Sequence, residues 1–144
     1  NYSSSEEIFY IQPASNEAFR IERLLIWLRG EEGKIKWDYY IEDNPLSTGI
    51  EVRVKDNSST ITDLTNGVLI KTVQDLMRVC FDVEVSPKNS VDDYQAAAAR
   101  WTFAKAGFPI RLNGANNERL EVVLNDDFSS LDEHYFMVQG YIED

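Results

Sequence analysis

Between Arg100 and Tyr141 the chain reads RWTFAKAGFPIRL, RLEVVL and HYFMVQGY, three runs of strand-forming residues in close succession, with loops rich in Gly, Asn, Asp and Ser between them. β-Branched and aromatic side chains suit a pleated, half-buried surface, and small polar residues supply the turns between such surfaces. Short runs punctuated in this way predict antiparallel strands packed as a sandwich. No reaction centre is visible in the stretch.

The rest of the chain repeats the pattern. NYSSS is a polar lead, EIFYI is a strand candidate before the Pro13 break, and residues 1–6 are expected to act as an N-terminal lead to a single domain spanning 1–144. AFRIERLLIWL places Phe19, Ile21, Arg23, Leu25 and Trp27 on one face and Arg20, Glu22, Leu24, Ile26 and Leu28 on the other. Ile21, Leu24, Leu25 and Leu28 also fit helical spacing, but the Phe, Ile and Trp content and the Gly-containing turn RGEEGK favour a strand. KIKWDYYIE is read as a strand, EDNPLSTG as a break and IEVRV as the cleanest period-two segment. KDNSST is then a turn, ITDLTNG a loop and VLIK a short strand.

KTVQDLMRVC predicts the one short helix, near 72–80. Thr72 and Asp75 stand at capping-box spacing, and Val73, Leu76, Met77 and Cys80 share a face. FDVEV resumes the strand pattern. The alanine tract 96–99 has helical propensity, but it runs into Trp101, Thr102 and Phe103 and is read as a strand whose small side chains admit a close neighbour. The expectation is an all-β, jelly-roll-like antiparallel sandwich of about eight strands, since no strand-helix-strand alternation and no fixed repeat is present.

Composition bounds the partners. A chain of 144 residues with 43% hydrophobic content, 3 Trp, 7 Tyr and 7 Phe has material for a core without staples, removing roughly 68% of its unfolded surface from water. Its net charge of −11, with the arginines scattered among acids, opposes a phosphate backbone, so no nucleic-acid partner is expected. No apolar run reaches the length of a membrane span and no secretory signal is visible, so no membrane partner is expected. The chain begins at Asn1, for which a processed or trimmed product is the expectation.

FRIERLLIWLRG, STGIEVRV, LIKTVQDLMRVCFDV, RWTFAKAGFPIRLNG and ERLEVVLNDDFSSLDEHYFMVQGY together resemble a group of small β-sandwich virion proteins of tailed bacteriophages and related prophages, over most of residues 19–141. The resemblance implies a non-enzymatic structural protein that decorates or cements a capsid, with a vertex, head-fibre or tail component as the related alternatives. It implies synthesis in the host cytoplasm and residence on the particle, with the exterior of the head favoured. The partners it implies are copies of the chain itself, as a homo-oligomer with a trimer favoured, and the major capsid protein or another virion protein. It carries over no catalytic residue.

The residues that could carry chemistry read independently of that resemblance. His134 is the only histidine and Cys80 the only cysteine, so an intrachain disulfide and a cysteine-rich zinc site are impossible, and every triad scheme must pass through His134. His134 is read as a surface residue at a strand start, and Cys80 as a small buried hydrophobe. No GxSxG, GxGxxG or GxxxxGK motif is present. Asp38, Glu42, Asp43, Asp92, Asp93, Asp132 and Glu133 are read as solvated loop acids. Asn125, Asp126 and Asp127 are read as a turn closed by side-chain oxygens, with loop-bound calcium as the minority alternative. No catalytic, cofactor-binding or metal-binding residue is therefore assigned.

The aromatics leave a second functional class open. Trp27, Trp37, Tyr39, Tyr40, Trp101, Phe103, Tyr135, Phe136 and Tyr141 are expected mostly in the core, yet any that face outward offer either a subunit interface or a stacking platform for sugars. A carbohydrate-binding module, with or without calcium, is the alternative to a virion subunit.

Overall fold

The structure, a computed structural model, describes residues 6–30, 48–65, 71, 75, 82–86, 96–103, 110–125 and 131–144. Its strands are β1 (Glu7–Ile11), β2 (Ala18–Gly30), β3 (Ile50–Lys55), β4 (Thr60–Asp63), β5 (Asp82–Ser86), β6 (Ala96–Thr102), β7 (Ile110–Asn113), β8 (Arg119–Leu124) and β9 (Leu131–Ile142). They form a four-stranded sheet, ordered β1-β8-β3-β4, and a five-stranded sheet containing β5, β6, β2, β7 and β9. Every pairing among the described residues is antiparallel. Because β9 pairs with β2 from Phe19 to Gly30, β6 and β7 must share the other edge of β2, one after the other. The nesting of β1 with β8 and of β2 with β7 is jelly-roll-like, while β3 pairs with β4 and β5 with β6, their neighbours in sequence, within an all-β antiparallel sandwich.

The inner faces make one apolar core. Ile50, Val52 and Val54 alternate inward from β3, and Leu120, Val122 and Leu124 from β8. Opposite them lie Leu24, Ile26, Trp101 and Leu112 from the five-stranded sheet. Each such aliphatic side chain taken out of water contributes about 1.5–3 kcal/mol, so these rows fix which face of each strand points inward.

In β2 the expected alternation fails at one residue, and the failure has a cause. Ile21 pairs with Gly140 and Arg23 with Gln139, so Glu22 is an extra residue on the β2 side. A bulge reverses the facing of everything after it. Phe19 and Ile21 therefore join Leu24 and Ile26 at the core, while Arg23, Leu25 and Trp27 turn outward. The apparent apolarity of both faces of LLIWL reflects this switch and a genuinely apolar outer face.

Residues 60–63, expected within a turn and loop, are strand β4. Thr60 and Thr62 are β-branched and Arg53 pairs with Asp63, but all four residues are exposed, so no burial pattern announces the strand. The turn before it is as expected: the Asp56 carboxylate accepts from Ser58 N at 2.7 Å, Ser58 Oγ at 2.9 Å and Ser59 N at 2.8 Å. The alanine tract is β6, paired on one side with β2 and on the other with β5, and this two-sided pairing overrides its helical propensity. The helix expected near 72–80 lies outside the described residues apart from Asp75, which is helical and accepts from the backbone N–H of Lys71 at 3.0 Å. The strands expected at KIKWDYYIE and VLIK also lie outside them, save Lys71, which is not in a strand. No helix among the described residues is long and apolar enough to cross a membrane.

Candidate functional site

Among the described residues, those singled out for chemistry do not converge. Cys80, Asp126, Asp127, Asp38, Glu42, Asp43, Asp92, Asp93, Trp37, Tyr39 and Tyr40 lie outside the described residues. His134 lies near the start of β9, paired with Leu28, and Asp132 and Glu133, expected as loop acids, belong to the same strand. Asn125 serves the fold: its backbone N–H donates to Gly49 O at 3.1 Å and its side-chain amide to the Glu51 carboxylate at 3.2 Å. Among the described residues no three His, Cys, Asp or Glu side chains are grouped to hold a metal ion. Trp101 and Phe103 are buried, as expected of core aromatics, whereas Tyr135 and Tyr141 are more than half exposed.

One carboxylate stands in an unusual setting. Glu121 is fully buried on the outer face of the four-stranded sheet, where Arg53 Nε donates to its Oε2 at 2.7 Å and Arg119 Nε to its Oε1 at 2.6 Å. Register explains the cluster, because Tyr10, Glu121 and Arg53 form one cross-strand row. Arg119 lies two residues before Glu121 on the same face, its guanidinium 5.1 Å from the Tyr10 ring centre. Burial works most strongly against ionisation of Glu121, but the hydrogen bonds and charges of Arg53 and Arg119 outweigh it and hold the carboxyl below its ordinary range. A general acid or base needs a pKa near the working pH and reach to the proton it moves. Glu121 has a lowered pKa and no exposure to solvent, and its bonds to Arg53 and Arg119 lock β8 to β3. The sequence signal was a lone acid in the centre of RLEVVL, opposite the arginine of IEVRV.

The second feature is apolar and asymmetric. Among the described residues Ile8, Tyr10, Tyr135, Met137, Tyr141 and Ile142 are exposed large apolar side chains on β1 and β9, and Ile61 on β4 is the one such residue elsewhere. Among the described residues both strands are edges of their sheets, and the rings of Phe9 and Phe136, 4.7 Å apart, set them on the same side of the sandwich. Between them the sheets part in a cleft of about 450 Å³ lined by Phe9, Ile11, Leu24, Val122, Phe136 and Val138. A smaller recess of about 180 Å³, beside Phe19, Ile21 and Gly140, shares Ile11 and Val138 with it.

On the outer face of the five-stranded sheet, Leu25 pairs with Met137 and Trp27 with Tyr135. The Trp27 and Tyr135 rings stack at 4.6 Å and 8°. The result is an uncharged strip from β2 to the free side of β9. Chemically this side of the molecule offers apolar area, ring faces and strand backbone, which are the means of holding a macromolecule. We find no match to this chain among protein families, curated proteins or solved structures.

Proposed function

We propose that this protein is a structural subunit of a virus particle, of the decorating or cementing kind its sequence resembles, and that it works through contact area and repetition. The observation that carries this reading is the concentration of exposed apolar side chains on β1 and β9, with Ile61 alone elsewhere among the described residues. Soluble monomers scatter such residues singly, whereas here they gather along two neighbouring edge strands, as at a contact site. Weak contacts made by many copies, each bridging neighbouring shell subunits, add through effective concentration to a strong hold on a pressurised shell. The charge of −11 supports an exterior position, away from packaged phosphate.

The test is co-sedimentation of the purified protein with intact particles or empty shells of the virus that encodes it, beside a duplex-DNA control at moderate salt. Saturable binding to shells and none to DNA is expected. Retention on DNA, or a glycan-binding monomer that ignores shells, overturns the reading. The stacking of Trp27 on Tyr135 weighs against a sugar platform, because each ring gives one face to the other instead of to a ligand.

A further inference from the structure

We infer that the β1 and β9 edges form a twofold interface with a second copy of this chain, strand against strand, so that each sheet continues from one copy into the next. This rests on the contact-protein reading above and names the partner and geometry.

The first ground is the composition of the edges. An edge strand presents a row of unpaired N–H and C=O groups, a template for a second chain unless charges, proline or a covering segment block it. β9 carries Tyr135 and Met137 outward and Phe136 and Val138 toward the core, and β1 carries Ile8 and Tyr10 outward and Phe9 and Ile11 inward. Residues 135–138 of β9 and 8–11 of β1 are thus apolar on both faces, and among the described residues β9 pairs only with β2 and β1 only with β8. The far edges are built differently. β4 reads TITD, exposed throughout, and β5 reads DVEVS, so each carries charges that discourage edge pairing, whereas the acids of β9, Asp132 and Glu133, stand at its start and β1 has only Glu7.

The second ground is charge. Two copies at −11 each repel, so self-association needs a surface free of acids. Residues 135–142, YFMVQGYI, contain no charged side chain and no proline. Nothing in that run opposes a second identical edge.

The third ground is geometry. β1 centres on Phe9 and β9 on Phe136 and Met137, and the Phe9 and Phe136 rings are in contact. One twofold axis near that ring pair brings both edges against their copies, each strand meeting itself antiparallel, as an isologous interface requires. The same contact sets the cleft between the sheets against its copy and joins the Leu25, Trp27, Tyr135 and Met137 strips into one band.

Sedimentation velocity of the full chain is expected to show a concentration-dependent dimer. Tyr135→Glu with Met137→Glu places carboxylates in the contact and is expected to weaken the dimer on the order of a hundredfold, with a native circular dichroism spectrum. Should that pair unfold the protein, Tyr10→Glu, at a side chain 61% exposed, tests the same interface from β1. In a Cys80→Ser background, Cys substituted singly at Tyr135, Met137 and Gln139 is expected to give a disulfide-linked dimer at the position nearest the axis, and Ile61→Cys on β4 to give none. A monomer at all concentrations, closure at three copies, or cross-linking through Ile61 overturns the inference. If monomers still bind shells, this interface fails and the virion reading stands; if dimers form and shells are not bound, the reverse holds.

Discussion

Arg53 and Glu121 meet across β3 and β8 at 2.7 Å, and the carboxylate has no exposure to solvent. Removing one member of a buried ion pair strands the other, which costs about 3–5 kcal/mol, whereas replacing the whole cluster with apolar residues of similar volume is neutral or stabilising by about 1–4 kcal/mol. Glu121→Ala is therefore expected to lower stability to urea by about 3 kcal/mol or more. The triple variant Arg53→Met, Glu121→Leu, Arg119→Met is expected to recover most of that loss. Equal destabilisation by the single and the triple variant would refute the assignment of Glu121 as a lock held against its own burial.

The same carboxylate sets an acid limit. Its folded pKa lies below the ordinary value of 4.5, because the two arginines outweigh burial. A lowered folded pKa gives stability that is complete above the unfolded value and is lost as pH falls through the folded one. Unfolding free energy is thus expected to decline as pH drops below about 4.5, and Glu121→Gln is expected to flatten part of that decline. Denaturant titrations at successive pH values measure it. An undiminished decline in the variant would transfer the effect to other acids.

Gly140 and Arg20 are in closer contact than any side chain permits. A Cβ on Gly140 would stand 1.9 Å from the Arg20 carbonyl oxygen, at the β2 bulge where Gly140 pairs with Ile21. The backbone must shift to admit even alanine, and forced overpacking costs about 1–3 kcal/mol. Gly140→Ala is expected to fall in that range, with Gln139→Ala, one residue before it and exposed, close to neutral. Comparable midpoints for the two would show that the bulge yields freely.

Glu143 closes the end of β9. Arg111 and Arg20 are directly opposed across β7 and β2, and the Glu143 carboxylate accepts from Arg20 Nε at 2.7 Å and from Arg111 Nε at 3.0 Å. The hydrogen bonds from Arg111 and then Arg20 hold it below the ordinary carboxylate range. Like charges facing across a sheet destabilise it, so Glu143→Gln is expected to speed amide exchange near the end of β9, at Tyr141 and Ile142. Low salt is expected to enlarge the difference, while exchange at Val122 in β8 stays unchanged. Equal acceleration at all three sites would mean global destabilisation.

Most of the sandwich is legible in the chain because period-two burial is a local property: Ile50, Val52 and Val54 announce β3 without any knowledge of their partners. Where a feature depends on a partner, the reading stops. Glu22 looks like an ordinary member of an alternating strand, since a bulge exists only relative to β9. Thr60 to Asp63 look like loop because an exposed edge has no burial pattern to print. Glu121 looks like a solvated acid until register sets Arg53 beside it. The aromatics divided in the same way: Trp101 and Phe103 went to the core, but the outward placement of Tyr135 depends on where β9 meets β2.

Trp101 supplies a last test, of packing set against polar satisfaction. Its side chain is 2% exposed and lines the core, yet its Nε1–H finds no hydrogen-bond partner among the described residues. Leaving a buried donor unsatisfied costs about 1–3 kcal/mol. Trp101→Phe removes that donor and also some apolar volume, whose loss has a cost of its own. The two effects oppose one another, so Trp101→Phe is expected to change stability by no more than about 1 kcal/mol, whereas Trp101→Ala, which empties the site, is expected to lose about 3–5 kcal/mol. A loss above about 2 kcal/mol for the Phe variant would mean that the indole N–H has a partner in the folded protein, since removing a satisfied bond adds to the cost of lost packing instead of offsetting it.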